Sequence, residues 1–156
     1  MSQNTTAAYR LVSPRWSSTA FSGEGARKYG GRWNSPGFPV VYLSESRALC
    51  ALELLVHLTT PGSRAKAYHL LETQIAEKQI ETIPLGSLSP DWKSSPPTKD
   101  STILGDRWLT EQRSLALRIP SSIIPEETNL LLNVNHPDFA KIKIGEPHTF
   151  SFDQRL

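Results

Sequence analysis

Gly30-Gly31-Arg32-Trp33-Asn34, then Val40-Val41-Tyr42-Leu43-Ser44, then Arg47-Ala48-Leu49-Cys50-Ala51-Leu52-Glu53 form a glycine-marked loop, a short strand and a helix in direct succession. The β-branched run from Val40 suits a buried strand, and Ser44 or Ser46 can cap the helix that follows. That helix is expected from Arg47 to about His57, with Ala48, Ala51, Leu52 and Leu55 recurring at the three-and-four spacing of one buried face. Glu53 falls off that stripe, and Thr60-Pro61-Gly62 ends the helix. An arginine, a tyrosine and a glutamate thus sit on consecutive elements. Arginine offers a planar fork for phosphate oxygens, tyrosine an aromatic face with a polar tip, and glutamate a carboxylate able to stabilise a developing sugar cation. Together they have the chemistry to hold a dinucleotide. Residue types alone leave ordinary roles open: Arg32 bridging a loop to a carboxylate, Tyr42 packing on a sheet face, Glu53 on a solvated helix face.

Upstream, Ala8 to Val12 reads as an opening strand carrying Arg10, broken by Ser13-Pro14. Between Ser17 and Pro39, Gly23, Gly25, Gly30, Gly31 and Gly37 forbid a long helix and let backbone approach a ligand closely. Downstream, Ala65 to Glu72 and Gln79 to Ile83 read as strands flanking a turn near Ala76 to Lys78. Ser87 to Ser101, with Pro96-Pro97, is an irregular crossing rather than a linker. Ile103 to Gln112 is a predicted helix anchored by Trp108, and Leu115 to Ile119 a strand ending at Pro120. Asn129 to Asn133, Ile142 to Gly145 and Phe150 to Phe152 are further short strands, with a turn at Asn135-His136-Pro137-Asp138. The sum predicts one α+β domain over residues 1–156, with mixed, mainly antiparallel sheets and a few short helices.

A chain of 156 residues falls in the usual single-domain range of roughly 100–200. A net charge of +2 argues against a nucleic-acid-coating protein, although Arg15, Arg27, Lys28, Arg32 and Arg47 crowd the first third and suit a local anion site. Cys50 is the sole cysteine, so an intramolecular disulfide and a cysteine zinc site are excluded, and a buried inert thiol is expected. The polar Met1 to Ala8 segment has no leader pattern, and no stretch approaches the ~18 apolar residues of a membrane span, so a cytoplasmic location is expected. His57, His69, His136 and His148 lie on separate elements without a His-Glu-x-x-His pattern, so no metal is expected. Ser121 and Ser122 lack the Gly-x-Ser-x-Gly setting of a serine hydrolase. Trp16, Trp33, Trp92 and Trp108 have no interleaved basic patch, so they read as core and loop anchors rather than a nucleic-acid groove.

With Leu117-Arg118-Ile119-Pro120-Ser121, Asn129 to Asn133, His136-Pro137-Asp138-Phe139 and Phe152-Asp153-Gln154-Arg155-Leu156 in the same order, the chain resembles the RES domain along nearly its whole length. RES proteins are toxins of bacterial toxin–antitoxin pairs. The resemblance implies a fold similar to ADP-ribosyltransferase catalytic domains and an NAD-consuming site. By motif, Arg32, Tyr42 and Glu53 match the family's principal residues, and Ser121 a further active-site position. Arg32 is then expected on pyrophosphate, Tyr42 against the nicotinamide or its ribose with a free hydroxyl, and Ser121 on a ribose hydroxyl or on Glu53. Arg10 and Arg47 are secondary phosphate candidates, Arg47 the better placed at the start of the helix carrying Glu53.

The expected activity is cleavage of the nicotinamide–ribose bond of NAD, with water or phosphate as acceptor, arresting growth by NAD depletion. NAD is a substrate here. A mono-ADP-ribosyltransferase acting on a cellular protein is the rival at the same site, and a non-catalytic binding module or an RNA-targeting toxin the rival of another class. The family's usual partner is an Xre-type helix-turn-helix antitoxin that blocks the site, and a homodimer is a further expectation that the sequence leaves open. No membrane or direct nucleic-acid partner is expected.

Overall fold

The computed structural model describes residues 4–156, so the first three residues of the polar Met1–Ala8 segment lie outside the described residues. Seven strands form one sheet: β1 (Thr5–Val12), β2 (Val40–Ser44), β3 (Ala67–Ala76), β4 (Ile80–Thr82), β5 (Ala116–Pro120), β6 (Thr128–Asn133) and β7 (His148–Ser151). Their order is β4-β5-β6-β2-β1-β3-β7. Every neighbouring pair is antiparallel except β4 with β5. The helices are α1 (Glu24–Tyr29), α2 (Arg47–Leu55) and α3 (Lys99–Glu111). This is a single compact α+β domain consistent with an ADP-ribosyltransferase-like fold.

Successive strand side chains point to opposite faces, and the core divides accordingly. Val41, Leu43, Leu130 and Leu132 pack on one face with Ala8, Phe21 and Leu71. Val40, Leu117, Ile119 and Leu131 pack on the other with Trp33, Trp92 and Trp108. Leu130, Leu131 and Leu132 are all fully buried, because β6 is covered on both sides. Trp108 anchors α3 as its sequence suggests, and its indole Nε1 donates to Ser114 Oγ at 2.8 Å.

Several boundaries differ from the sequence expectation. The helix following β2 stops at Leu55, and α3 starts earlier, at Lys99. Ile142 to Gly145 forms no strand: Ile144 makes only an isolated bridge to Thr73, and Gly145 N donates to the Glu72 carbonyl at 2.8 Å. That stretch is apolar enough for a strand, but β7 already pairs with β3 from Ala67 to Leu70. The glycine-rich segment before β2 also holds the six-residue α1, between Gly23 and Gly30, both at a positive φ of 73° that glycine adopts without a Cβ penalty.

The two halves of the sheet meet at β1 and β2, where only Tyr9 and Ser44 are in register, against eight registered pairs between β1 and β3. This short seam opens the sheet beside β2. Below it, Arg118 on β5 bonds Glu45 at 2.9 Å and Glu77 at 2.8 Å, tying the turn between β2 and α2 to the far half of the sheet.

Candidate active site

α2 begins with Ser46, whose Oγ accepts a hydrogen bond from Leu49 N at 3.0 Å, satisfying one of the free amide groups of the first turn. The helix does not bury the stripe its spacing suggests. Ala48 and Leu52 are exposed, while Leu49 and Cys50 are the buried pair. Glu53 lies three and four residues beyond them and so shares their face. A helix with alanine or leucine at most positions has no unique apolar stripe, so the choice of face falls to tertiary contacts. Here the inward face is the one that carries the carboxylate.

That carboxylate is tethered. Glu53 Oε1 accepts from Ser121 Oγ at 2.8 Å and from Asn129 Nδ2 at 2.7 Å. Ser121, just beyond β5, is fully buried, and its Oγ accepts the backbone N–H groups of Ile123 and Ile124 at 3.1 Å. Asn129 lies on β6 opposite Ser44 of β2, and Ser44 Oγ donates to its Oδ1 at 2.7 Å. Glu53, Ser121 and Asn129 therefore meet from three different elements.

Tyr42 shares the sheet face of Ser44, two residues away. Its hydroxyl is not free. It donates to Asn34 Oδ1 at 2.7 Å and accepts from Trp33 N at 3.0 Å, and burial pushes the phenol well above its ordinary pKa. The ring is thus pinned, leaving its aromatic surface as what Tyr42 offers the cleft. Gly31 makes this possible: a Cβ there would lie 2.7 Å from the Tyr42 hydroxyl and 3.0 Å from Asn34 Oδ1. Gly31→Ala is therefore expected to displace the tyrosine and cost about 1–3 kcal/mol, the usual toll of overpacking, and thermal unfolding of the variant measures it.

Arg32 lies on the same glycine loop, with its Nη1 donating to the carbonyls of Trp92 at 3.0 Å and Ser94 at 2.8 Å. Those carbonyls belong to the Ser- and Pro-rich crossing, which the sequence reads as irregular without linking it to Arg32. Burial lowers the Arg32 pKa, an effect opposed chiefly by the nearby Glu53 carboxylate. Arg10 reaches in from β1, its Nη1 donating to the Tyr42 carbonyl at 3.1 Å. Its Nε is buried without a hydrogen-bond partner among the described residues, and burial lowers its pKa.

Arg47 departs from expectation. It pairs with Glu72 at 3.2 Å and lies over the Tyr9 ring at 4.6 Å, and it does not line the cleft that Arg10, Arg32 and Glu53 share. The first residue of a helix points away from the sheet edge as readily as toward it, and Glu72 draws this one outward. The better phosphate candidate of the two is Arg10.

The cleft measures about 880 Å³ and is lined by Arg10, Arg32, Tyr42, Ser44, Glu53 and Asn129 among others. A volume of that order suits a large organic ligand. Cys50 also borders it, but burial pushes the thiol up to about 12, which leaves it protonated and inert. His136 serves its turn, with Nδ1 accepting from Asp138 N at 3.0 Å. Among the described residues no cluster of three or more His, Cys, Asp or Glu is suited to a metal ion. No helix is long and apolar enough to cross a membrane among the described residues. Asn129 and Ser44 are the site residues the sequence reading missed. Ser44 closes β2 and Asn129 is the second residue of β6, polar positions at the ends of apolar runs that carry no pattern of their own.

Comparison with known proteins gives a family model described as the RES domain, matching residues 7–153. "Toxin Res" of Yersinia enterocolitica is 36% identical over 149 residues, covering 95% of this chain and 97% of that protein. The "Prs ADP-ribosylating toxin" of a Sphingobium species is 36% identical over 157 residues, covering 97% of each. The "NAD(+) phosphorylase MbcT" of Mycobacterium tuberculosis is 34% identical over 93 residues, covering 57% of this chain and 49% of that protein.

Proposed function

We propose, from the premise that the chain belongs to the RES-domain family, that it is an NAD-degrading toxin whose cleft cleaves the nicotinamide–ribose bond. One observation carries this reading. Arg10 and Arg32 border the cleft bonded to backbone carbonyls rather than carboxylates, while the Glu53 carboxylate borders the same space held by neutral donors. Arg10 is the more deeply buried of the two, and a buried guanidinium without a counter-charge is costly, which an anionic ligand offsets. A pyrophosphate flanked by two sugars meets both demands, with anion at the arginines and a reacting sugar at the carboxylate.

The chemistry follows from the charges. Nicotinamide departs from NAD as a neutral ring, and positive charge builds on the ribose it leaves. Glu53 stabilises that oxocarbenium-like centre and orients the acceptor, as a carboxylate does in glycoside cleavage. Tyr42, with its hydroxyl occupied, contributes a fixed aromatic wall against the nicotinamide end. Arg32 and Arg10 bind the pyrophosphate, Arg32 with the geometry for paired bonds to two oxygens. Ser121 holds Glu53 rather than the substrate.

The acceptor is water or phosphate in this reading. Transfer of ADP-ribose to a cellular protein is the second reading, favoured by the name of the relative from Sphingobium, which matches 97% of this chain. A helix-turn-helix antitoxin of the Xre type covering the cleft completes the proposal, since a cell does not tolerate an open NAD-consuming site, and both proteins would act in the cytoplasm.

Incubating the purified chain with NAD, with and without phosphate and cell lysate, and resolving the products by mass tests these readings. Free ADP-ribose, or its phosphate when phosphate is added, is the expected outcome. NAD loss only when lysate is present, with ADP-ribose bound to protein, supports the second reading against the first. Intact NAD under every condition overturns both.

A further inference from the structure

The two oxygens of the Glu53 carboxylate are not equivalent. Oε1 accepts both hydrogen bonds, from Ser121 Oγ and Asn129 Nδ2, and among the described residues Oε2 accepts none. We propose that Asn129, backed by Ser44, is a positioning residue that turns Glu53 so that Oε2 is the oxygen presented to the ribose carbon losing nicotinamide; this rests on the NAD-cleaving reading above.

Three features support it. First, the hydrogen bonds fix the orientation of the amide. An ionised carboxylate only accepts, so Asn129 must turn its NH₂ toward Glu53, and its Oδ1 then takes the hydroxyl hydrogen of Ser44 at 2.7 Å. The chain of donors runs in one direction, from Ser44 to Asn129 to Glu53. Second, Asn129 and Ser44 are registered partners on the adjacent strands β6 and β2, and Ser44 is only 4% exposed. Strands hold a group more rigidly than the turn carrying Ser121 does. Third, both donors are neutral. An arginine or lysine in place of Asn129 would hold the carboxylate equally well, but it would also cancel the negative charge on which cation stabilisation depends. The Asn–Ser pair orients Glu53 without neutralising it. Asparagine is depleted in strands, and this role accounts for its presence as the second residue of β6.

The test compares Asn129→Ala, Asn129→Asp and Ser44→Ala with the parent chain, measuring kcat and KM for NAD, the pH profile of kcat and thermal unfolding. Misplacing a catalytic group by about 1 Å can cost about 100-fold, so Asn129→Ala is expected to lower kcat by about 10- to 100-fold with KM within about threefold. Ser44→Ala, which loosens the amide without removing it, is expected to lower kcat by less. Asn129→Asp sets a second carboxylate against the first, and one of two such neighbours must hold a proton until the pH rises. The acid limb of its kcat profile should therefore move to higher pH, a change that a purely structural role would not produce.

An Asn129→Ala variant with kcat within twofold of the parent overturns the proposal, as does an Asn129→Asp profile that superimposes on the parent's. If Asn129→Ala fails to fold, the Asn129→Asp profile and the Ser44→Ala kcat decide. A parent chain that leaves NAD intact refutes the reaction itself, an outcome distinct from the variants matching an active parent.

Discussion

Glu53→Gln is expected to lower the rate of NAD cleavage by about two to three orders of magnitude while leaving the fold intact. The amide is nearly isosteric with the carboxylate, and its oxygen can still accept from Ser121 and Asn129, which are 2.8 and 2.7 Å from Oε1 in the parent. What is lost is the charge. A preorganised electrostatic stabiliser in a partly desolvated site typically contributes a factor of 10² to 10³, and among the described residues no second carboxylate lines the cleft to take over. Turnover measured alongside thermal unfolding separates this from a folding defect. A variant within tenfold of the parent rate would assign the cation-stabilising role elsewhere.

The second large effect is structural and lies away from the chemistry. Gly105 on α3 packs directly against the backbone of the Arg32–Trp33 turn, where a Cβ would fall 1.7 Å from the Trp33 carbonyl oxygen and 2.8 Å from its carbon. Helix propensity alone favours alanine over glycine by roughly 0.5–1 kcal/mol. The clash decides the sign, because its partner is backbone and cannot swing aside. Gly105→Ala must push α3 from the sheet or shift the turn, at a cost of about 1–3 kcal/mol or more. The lower melting temperature this implies is roughly 2–4 °C for each kcal/mol in a chain of this size. Because the displaced turn carries Arg32, KM for NAD should rise in the same variant. An unchanged melting temperature would mean that the contact between α3 and the turn is looser than the geometry requires.

Much of this architecture was legible in the residues. The Val40–Leu43 run, a helix cap at Ser44 or Ser46, of which Ser46 is the one formed, and the strand ending at Pro120 follow from local propensity and turn chemistry, and they place Tyr42, Glu53 and Ser121 near the positions they occupy. The face of α2 was not legible, since alanine and leucine at most positions leave the apolar period undetermined, and burial of Leu49 and Cys50 is settled by packing on the sheet. The same applies to the arginines. Arg10 and Arg47 are equivalent by type, and only the gap beside the single Tyr9–Ser44 pair, together with Glu72 near Arg47, separates a cleft residue from a surface one. The state of the Tyr42 hydroxyl depends on Asn34 and Trp33 folding back over it, a contact with no periodic signature. Asn129 and Ser44 face each other only because β6 and β2 are neighbours, and strand order does not appear in a single sequence.

Glu53, in a cleft bordered by Arg10 and Arg32, is the residue expected to drive cleavage of the bond between nicotinamide and ribose. Quantifying free nicotinamide released from NAD by the purified parent and Glu53→Gln chains, side by side under identical conditions, tests it most directly. Steady release by the parent is expected, with one nicotinamide formed for each NAD consumed, and release slowed at least a hundredfold in the variant. No nicotinamide from the parent over hours, or equal rates from the two proteins, would contradict it.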